Sequence, residues 1–473
     1  MNRLALIAVV GLDRSLIGPH TPRIRAFAEQ GAIIPISPAF PALTCTAQSN
    51  YLTGKTPSQH GIVGNGWFNR ELAEVQFWKQ SNRLVQQPKI WDALAARQSS
   101  FTVANCFWWF NMYSSVDYAI TPRPIYCADG RKILDIYTWP FSLRAQIKND
   151  LGEFPFFGFW GPAAGISTSH GAADCASGWI AAAARWMEYR FSPTLNLVYL
   201  PHLDYNLQRH GPRLPDGSIH PAVIPDLRAV DSIVGDLIDF FSERGVAVVL
   251  LSEYGIANVD LPVHLNRIFR QQGWLALKDE LGREILDAGA SRVFAVADHQ
   301  IAHVYVNDPP LARAVRNVLE QTPGIEQTMG EAEKIRANIA HPRAGDFIVA
   351  AAPNAWFTYY YWEDDRRAPD FARTVDIHRK PGYDPAELFL DPRLPAPRLK
   401  IGWRLLQKKL GFRTLMDVVA LDAGLVKGSH GRVPADKNQW PILTTSRPDL
   451  LQAPTSGFLD STGVFDLLLR HLI

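Results

Sequence analysis

The sequence predicts an α/β fold in which helices cover both faces of a mainly parallel central sheet. Short apolar runs without polar alternation are typical of strands that are buried on both faces. Amphipathic stretches of helical period separate these runs, and this alternation is the pattern of a parallel sheet between two helical layers. The predicted strands are 4–10, 195–200, 246–251 and 347–352, and the predicted helices are 22–30, 90–97, 179–189 and 225–244.

The apolar run that follows Arg3 can be interpreted either as the first strand or as part of a signal peptide. The run is seven residues long and ends at Gly11, which suits a buried parallel strand. Asp13 comes directly afterwards, and two other carboxylates, Asp204 and Glu253, follow the ends of later strands. Ligands bind beyond the carboxyl ends of parallel strands, so we expect one edge of the sheet to gather the three carboxylates.

The segment 41–65 predicts a short helix that begins at Thr44 and ends before Gly54. A hydroxyl at a helix start faces free backbone N–H groups and the positive end of the helix dipole, where phosphates bind. On this segment alone, two interpretations of Thr44 stay open. It is either a helix N-cap or a nucleophile that a neighbouring cation activates.

Composition bounds the class of protein. With 473 residues, 47% of them hydrophobic, the chain can bury one large core that carries inserted subdomains. The 48 Lys and Arg nearly balance the 46 Asp and Glu, so nothing indicates a nucleic-acid polymer as partner, and basic residues are scattered apart from small clusters such as Lys408 and Lys409. The four cysteines form no zinc pattern and no apolar run reaches transmembrane length, which favours a cytoplasmic protein without a membrane span.

The segment 41–65 resembles the nucleophile helix of the nucleotide pyrophosphatase/phosphodiesterase branch of the alkaline phosphatase superfamily, which includes phosphonoacetate hydrolases. That branch has a nucleophilic Thr ten residues before the Gly of a Thr-Gly pair and twenty-one before an oxyanion-binding Asn. Here Thr44 precedes Gly54 by ten residues and Asn65 by twenty-one, and residues 56–62 read TPSQHGI, like the branch's Pro-x-x-His-Gly-Ile turn. The resemblance implies an alkaline phosphatase-like fold with Thr44 as nucleophile and Asn65 as oxyanion-binding residue.

The resemblance also implies two divalent metal ions, zinc in the relatives. One metal is held there by an Asp, the nucleophilic Thr and an Asp-His pair, and the other by an Asp, a His four residues later and a late His. The matching positions are Asp13, Thr44, Glu253 and Tyr254 for the first metal, and Asp204, Gln208 and His430 for the second.

Three of these positions depart from the family pattern, because Gln208 and Tyr254 replace His and Glu253 replaces Asp. Gln and Tyr bind zinc less well than His does, and their oxygen atoms favour Mn or Mg. Three possibilities stay open: an altered metal preference, a weakened second metal, or ligands recruited from elsewhere in the chain. The candidate recruits, each of which has a structural alternative, are His210, His264, Asp298, His299 and His303.

The motif VDIHRKPGYDP adds two candidate substrate-binding residues, His378 and Lys380. A Lys-Pro-Gly loop can present a cation to a substrate phosphate, and a surface turn with a satisfied His is the alternative interpretation.

We assign the whole chain to one domain whose core comprises 1–65, 176–257 and 345–473. The aromatic-rich insertion 66–175 is expected to form a lid or pocket wall, which favours a substrate with an apolar or ring-bearing part. Residues 258–344 are expected to form an inserted α/β subdomain.

These observations predict metal-dependent hydrolysis of a small phosphodiester, pyrophosphate or phosphonate through a covalent phospho-threonine intermediate. A phosphomonoesterase is one alternative, although the extra Arg of that class cannot be located. Another alternative is a catalytically impaired descendant that serves as a binding or scaffold protein. The replacement of two metal-binding His by Gln208 and Tyr254 favours this alternative. A sulfatase is disfavoured because residues 45–49 lack the Cys/Ser-x-Pro-x-Arg motif of that class.

Overall fold

Strands and helices alternate along the chain as the hydrophobic pattern predicts. The computed structural model describes residues 2–129, 131–165, 175–451 and 456–473. In chain order the strands are β1 (Leu4–Val9), β2 (Ile34–Ser37), β3 (Gly66–Asn69), β4 (Glu74–Phe77), β5 (Val103–Cys106), β6 (Tyr118–Pro122), β7 (Ile125–Tyr126), β8 (Lys132–Ile133), β9 (Ile136–Trp139), β10 (Leu195–Leu200), β11 (Ala247–Leu251), β12 (Ala257–Asn258), β13 (Leu261–Val263), β14 (Leu277–Glu280), β15 (Arg283–Leu286), β16 (Val293–Asp298), β17 (Ile301–Val306), β18 (Ile325–Met329), β19 (Phe347–Ala351), β20 (Ala355–Phe357), β21 (Gly428–Ser429), β22 (Ile442–Thr445) and β23 (Leu459–Asp460).

The helices include each of the four that the sequence predicts, with ends that differ by up to three residues. In chain order the α-helices are α1 (Pro22–Gly31), α2 (Thr44–Thr53), α3 (Pro57–His60), α4 (Ile90–Ala95), α5 (Leu143–Leu151), α6 (Ala176–Phe191), α7 (Leu203–His210), α8 (Ile224–Ser242), α9 (Leu265–Gln271), α10 (Ala312–Gln321), α11 (Glu331–Arg336), α12 (Pro397–Lys409) and α13 (Val464–Leu472).

A nine-stranded sheet forms the centre of the fold, in the order β23-β2-β22-β11-β1-β10-β5-β6-β9. Its five middle strands, from β11 to β6, are parallel to one another. Every residue of β1 and β10 is buried, which explains why both strands are uninterrupted apolar runs with a single Asn. The prediction of a mainly parallel central sheet is therefore confirmed.

The prediction that the segment 66–175 is an insertion outside the core is wrong. β5, β6 and β9 lie within it and extend the central sheet by three strands. β5 escaped prediction because it has only four residues, too few to show a period. Part of this segment, residue 130 and residues 166–174, lies outside the described residues.

A second sheet of four strands, in the order β16-β17-β19-β18, has its own apolar cluster. All of its pairings are antiparallel. β19 is the strand that we predicted for the core over 347–352, and its assignment to the central sheet is wrong. An apolar run indicates burial but not the sheet in which the strand is buried. The remaining strands form two-stranded pairs.

None of the helices among the described residues is both long enough and apolar enough to cross a bilayer.

The close contact of α1 with β22 gives a test of the fold. A Cβ atom on Gly31 would lie 2.1 Å from the carbonyl oxygen of Thr445, whereas one on Gly402 in α12 would meet nothing within 4 Å. We expect Gly31→Ala to lower the free energy of unfolding by about 1–3 kcal/mol through overpacking. Gly402→Ala is the matched control and should raise it by about 0.5–1 kcal/mol. Denaturant titration measures both values, and equal stability of the two variants would contradict this packing of α1.

Candidate active site

Three neighbouring strands of the central sheet bring the predicted carboxylates to one edge. β1 pairs with β10 and with β11 in parallel register, with Val9 opposite Leu200 and Ala8 opposite Leu251. Asp13, Asp204 and Glu253 follow the carboxyl ends of these three strands, and all three are buried. The expectation that one edge gathers them is confirmed.

Thr44 is the first residue of α2, directly after the extended Leu43. Its Oγ1 lies 3.2 Å from the hydroxyl of Tyr254. All ten residues of α2 are buried, and the helix ends at Gly54 in the left-handed region (φ 65°) that favours glycine. The helix predicted from the sequence is thus present, and its N-terminus carries a buried hydroxyl rather than a solvent-exposed cap.

A cleft lies at this hydroxyl, and its empty volume is about 580 Å³ when the adjoining open solvent is included. Thr44, Asp204, Tyr254 and His299 contribute polar groups to it. The other lining residues are mainly aromatic: Trp78, Trp109, Phe159, Trp160, Tyr199, Pro201, Tyr205, Ile377 and Tyr383. Four of these aromatic residues come from the segment 66–175, which confirms its predicted role as a pocket wall.

Glu253 is completely buried beside Thr44. Its Oε1 accepts a hydrogen bond from Nε2 of Gln48 at 2.6 Å, whereas its Oε2 has no partner among the described residues. Burial raises the pKa of Glu253 to about 8, and the hydrogen bonds of Gln48 and Thr44 oppose that rise. A buried carboxylate oxygen without a partner is costly, so this atom is suited to a cation or a proton.

Tyr254 stands where the family has a His, and its ring lies flat on His430. The two ring centroids are 3.5 Å apart with an interplanar angle of 8°. Nδ1 of His430 donates to the carbonyl oxygen of Ala42 at 2.8 Å, so the lone pair of its neutral ring is on Nε2. That Nε2 is buried and has no partner in the described part of the chain. The ring of His299 lies 3.8 Å from that of His430.

Asp204 and Gln208 form a closed pair on consecutive turns of α7. Nε2 of Gln208 donates to Oδ2 of Asp204 at 2.6 Å, and Oε1 of Gln208 accepts from the hydroxyl of Tyr383 at 2.8 Å. Burial raises the pKa of Asp204 to about 7, which the bond from Gln208 opposes. Both polar ends of the Gln208 amide are therefore occupied by protein groups. Oδ1 of Asp204 has no hydrogen-bond partner among the described residues.

Asp13 completes the carboxylate edge. Its Oδ1 accepts from the backbone N–H of Ser15 at 2.8 Å and from the Ser15 hydroxyl at 2.6 Å. Its Oδ2 points toward Gly255, where a Cβ atom would lie only 2.9 Å from it. Burial raises the pKa of Asp13 to about 6, with the bonds from Ser15 acting in the opposite direction.

Asn65 is held in place from both ends of its side chain. Its Oδ1 accepts from the backbone N–H of Cys45 at 3.1 Å, and its Nδ2 donates to Oδ1 of Asp298 at 3.1 Å. Asp298 also accepts from the backbone N–H of Asn65 and pairs with Nδ1 of His299. Asp298 thus orients both residues, and one N–H of the Asn65 amide is left for another acceptor.

The donor set fits an oxygen-bound cation better than a pair of zinc ions. Among the described residues, no group of three His, Cys, Asp or Glu side chains is placed to hold a metal ion. Each family ligand set has lost one His, so each keeps only two residues of these types. The first set retains Asp13, Glu253 and the Thr44 hydroxyl as oxygen donors. In the second set, hydrogen bonds already occupy Gln208 and one oxygen of Asp204.

Among the candidate recruits, His299 is the residue that lines the cleft. His303 bonds the carbonyl oxygen of Val63 at 3.0 Å and the backbone N–H of Gly345 at 3.1 Å. His264 bonds Thr358, and His210 stacks on His220 outside the cleft lining. These contacts favour a structural role, and not metal binding, for His303, His264 and His210.

The prediction that Lys380 presents its charge to a substrate is wrong. Its side chain is 1% exposed, and Nζ pairs with Asp384 at 2.6 Å and Glu387 at 2.8 Å. It also donates to the carbonyl oxygen of Ala372 at 3.3 Å, so all three ammonium hydrogens are used. Oε2 of Glu387 accepts from the indole N–H of Trp160 at 2.5 Å, which attaches this network to the cleft wall.

His378 does not line the cleft, although its neighbour Ile377 does. Its Nδ1 donates to the carbonyl oxygen of Phe77 at 3.3 Å. Burial lowers the pKa of His378 to about 4, so the ring is neutral near pH 7. A contact between His378 and a substrate stays a prediction.

Two site residues escaped the sequence analysis. Gln48 lies one helical turn after Thr44 and therefore on the same face, so its spacing was an available signal. Tyr383 lies in the VDIHRKPGYDP motif, but its contact with Gln208 joins positions 175 residues apart. Nothing local to the sequence indicates that contact.

Comparisons with known proteins identify the family and the fold. Residues 4–384 match the family of type I phosphodiesterases/nucleotide pyrophosphatases. An uncharacterized pyrophosphatase/phosphodiesterase from Schizosaccharomyces pombe is 24% identical over 249 residues, which cover 50% of this chain and 41% of that protein. The chain thus spans less than half the length of this relative.

Two solved structures have the same fold. Phosphonoacetate hydrolase from Sinorhizobium meliloti, in complex with phosphonoformate, aligns with a TM-score of 0.59 at 14% identity, over 100% of this chain and 96% of that one. Murine ectonucleotide pyrophosphatase/phosphodiesterase 5, as an inactive variant in complex with AMP, aligns with a TM-score of 0.57 at 13% identity, over 100% and 95%. With the match that extends over most of its length, the chain belongs to the type I phosphodiesterase/nucleotide pyrophosphatase family.

Proposed function

We propose that the protein hydrolyses a small phosphodiester, pyrophosphate or phosphonate, with Thr44 as the nucleophile. The observation that carries this proposal is the Thr44 hydroxyl, which lies at the start of a buried helix and at the base of a cleft. Free N–H groups at a helix start bind the oxygens of a phosphoryl group and stabilise the charge that they gain.

In the first step, a bond forms between Oγ1 of Thr44 and phosphorus as the bond from phosphorus to the leaving oxygen, or to the leaving carbon of a phosphonate, breaks. The Tyr254 hydroxyl, 3.2 Å from Oγ1, takes the Thr44 proton and gives its own proton to solvent, while a solvent proton reaches the leaving atom on the opposite side of phosphorus. In the second step, water attacks phosphorus and loses one proton to solvent, the bond between phosphorus and Oγ1 breaks, Oγ1 takes a proton back through the Tyr254 hydroxyl, and the phosphorylated product is released. The free N–H of Asn65 donates to a non-bridging oxygen in both steps.

A divalent cation fits the oxygen donors Asp13, Thr44 and Glu253. Such an ion lowers the pKa of a bound hydroxyl and neutralises charge on a phosphoryl group. Three oxygen donors, two of them carboxylates, suit Mn or Mg better than zinc. The pairing of Gln208 with Asp204 and Tyr383 favours a single tight cation over the two that the family resemblance implies.

The cleft supports a substrate that combines a phosphoryl group with an apolar or ring-bearing part. Its lining is mainly aromatic, and the described lining residues include neither Lys nor Arg. Aromatic side chains bind ring systems by stacking, and AMP and phosphonoformate, bound to the two relatives, have the matching phosphoryl or phosphonyl chemistry. We also propose a cytoplasmic location, which the reduced, buried thiols of Cys45 and Cys106 support.

A second candidate function is binding of the same ligand without turnover. The specific observation in its favour is that hydrogen bonds and ring stacking have replaced two metal-binding imidazoles, at Gln208 and Tyr254. The experiments below separate the two functions, because a binding protein would take up a phosphate ester and release it unchanged.

Thr44→Ala should lower kcat by roughly 10³-fold or more, because it removes the attacking oxygen. Initial rates with bis(nitrophenyl) phosphate give kcat. Acid quenching followed by mass spectrometry should find phosphate on the Thr44 peptide of the wild type. Thr46→Ala is the matched control and should keep its activity, because Thr46 is buried on the same helix and does not line the cleft. Near-normal turnover by Thr44→Ala would remove this residue from the mechanism.

Asn65→Ala should lower kcat by about 10²-fold, because a donor to the oxygen that gains charge is lost. KM and metal content should change little, because Asn65 is not one of the proposed cation ligands. Steady-state kinetics and elemental analysis of the same preparation test this. Loss of metal, or a large fall in melting temperature, would instead assign Asn65 to holding Asp298 and the start of α2.

The metal prediction concerns Gln208 and Tyr254, the two positions at which the family has a His. Mn should restore the activity of the chelator-stripped protein more strongly than Zn does. Gln208→His combined with Tyr254→His should raise zinc affinity, because two imidazoles return to the site. Elemental analysis and zinc calorimetry measure this without reference to turnover, with the exposed Gln321→His as control. Two tightly bound zinc ions per wild-type chain would contradict the oxygen-site proposal and implicate His299.

A further inference from the structure

The helix α12 (Pro397–Lys409) has an apolar face that the rest of the described chain leaves uncovered. None of its residues is buried. Its apolar stripe consists of Leu399, Trp403, Leu406 and Leu410, the last of which directly follows the helix, and these side chains are 76%, 59%, 46% and 65% exposed. Their spacing of i, i+4, i+7 and i+11 places them on one side of the helix. Phe412 and Leu415, 63% and 42% exposed, continue the apolar surface beyond it.

Two basic residues beside the apolar stripe tie α12 to the segment that follows it. Nζ of Lys400 pairs with Asp417 at 2.9 Å, and Arg404 pairs with the same carboxylate at 3.2 Å. Lys400 and Arg404 lie about a third of a turn away from the stripe. The stripe itself is exposed along its whole length, and an exposed apolar surface with a Trp and three Leu marks an interaction site.

The charges around the stripe have one sign. Residues 397–415 include six basic residues and no acidic one. Two of the six bind Asp417, as described above. Arg398, Lys408 and Lys409 are exposed and have no ion-pair partner in the described part of the chain, and Arg413 is exposed as well. An apolar stripe with Trp and Leu, flanked by Lys and Arg, is the composition of helices that lie in the surface of a membrane.

One end of this surface lies near the β7–β8 hairpin. The Arg413 charge acts on Asp129, whose pKa is lowered mainly by the backbone N–H of Arg131. Asp129 belongs to the β7–β8 hairpin, which exposes Ile125, Tyr126 and Ile133. The hairpin in turn lies near the segment 376–378. Burial is the main cause of the lowered pKa of His378, and the charge of Lys132 lowers it further. Ile377 of this segment lines the cleft.

We propose that α12 and the following residues to Leu415 form a docking surface for membranes that contain anionic phospholipids. Trp403 and the three leucines enter the boundary between headgroups and acyl chains, and Arg398, Lys408 and Lys409 remain at the headgroup phosphates. A cation-rich apolar helix complements an anionic lipid surface in charge and in polarity.

Co-sedimentation with vesicles tests the proposal on the full chain. We expect the wild type to sediment with vesicles of phosphatidylcholine mixed with phosphatidylserine, and to be released by salt because the basic residues supply much of the attraction. Lys408→Gln combined with Lys409→Gln should weaken the binding at least roughly tenfold, since each basic residue near the surface contributes about fivefold. Trp403→Ser combined with Leu406→Ser should also weaken it, by removing the inserted apolar area.

Matched controls are available on the protein surface. Leu72→Ser changes a leucine that is 58% exposed, and Arg313→Glu changes an exposed arginine, both far from α12 in sequence. Both variants should bind vesicles as the wild type does. All α12 variants should keep their melting temperature and their turnover of a soluble nitrophenyl ester, so a failure of docking is distinguishable from a failure of the proposed hydrolysis.

Three results would overturn the proposal. The first is a wild type that sediments with neither vesicle type, which would leave an acidic protein as the better occupant. The second is equal binding to phosphatidylcholine alone, because the basic residues would then have no role. The third is a dimer in sedimentation velocity that Trp403→Ser converts to a monomer, which would assign the stripe to a second copy of the chain.

Discussion

The parallel pairing of β1 with β10 and β11 is the constraint on which the site depends. Parallel strands end at the same edge of a sheet, so residues almost 200 positions apart in sequence meet there. The strands are buried on both faces and cannot shift without moving the whole apolar core. Asp13, Asp204 and Glu253 are thus held by the sheet rather than by their loops, and the buried helix α2 sets Thr44 beside them.

The site shows how a protein can keep a family's carboxylates after it has lost part of the family's imidazoles. A buried carboxylate needs a cation, a proton or hydrogen-bond donors. At Asp204, the amide of Gln208 now supplies a donor, and Tyr383 fixes the orientation of that amide. At Glu253, Gln48 supplies one donor, and the second oxygen keeps no partner among the described residues. The two positions have therefore diverged, since hydrogen bonds occupy Gln208 and one oxygen of Asp204 at one of them, whereas Oε2 of Glu253 has no partner among the described residues at the other.

Sequence patterns predicted those parts of the fold that rest on local periodicity. Strands such as β1 and β10 and a long helix such as α8 have clear periods, so the sequence places them within a few residues. The helix-compatible run that begins at Thr44 and ends before Gly54 predicted α2. The sheet to which β19 belongs depended on tertiary packing, which no window of sequence contains. Lys380 was misplaced for a different reason. Its partners Asp384 and Glu387 lie within seven residues of it, but their spacing does not show that the three charges are buried together.

The bond between Trp160 and Glu387 makes the shape of the cleft depend on a buried charge balance. Asp384 and Glu387 would repel each other without the ammonium group of Lys380 between them, and Trp160 would lose its fixed acceptor. The indole of Trp160 is therefore oriented by a bond within the protein, so a ligand that stacks on it would have one side chain fewer to order. The charged groups of Lys380, Asp384 and Glu387 do not line the cleft, yet a change of charge at any of them would reach the cleft wall through this bond.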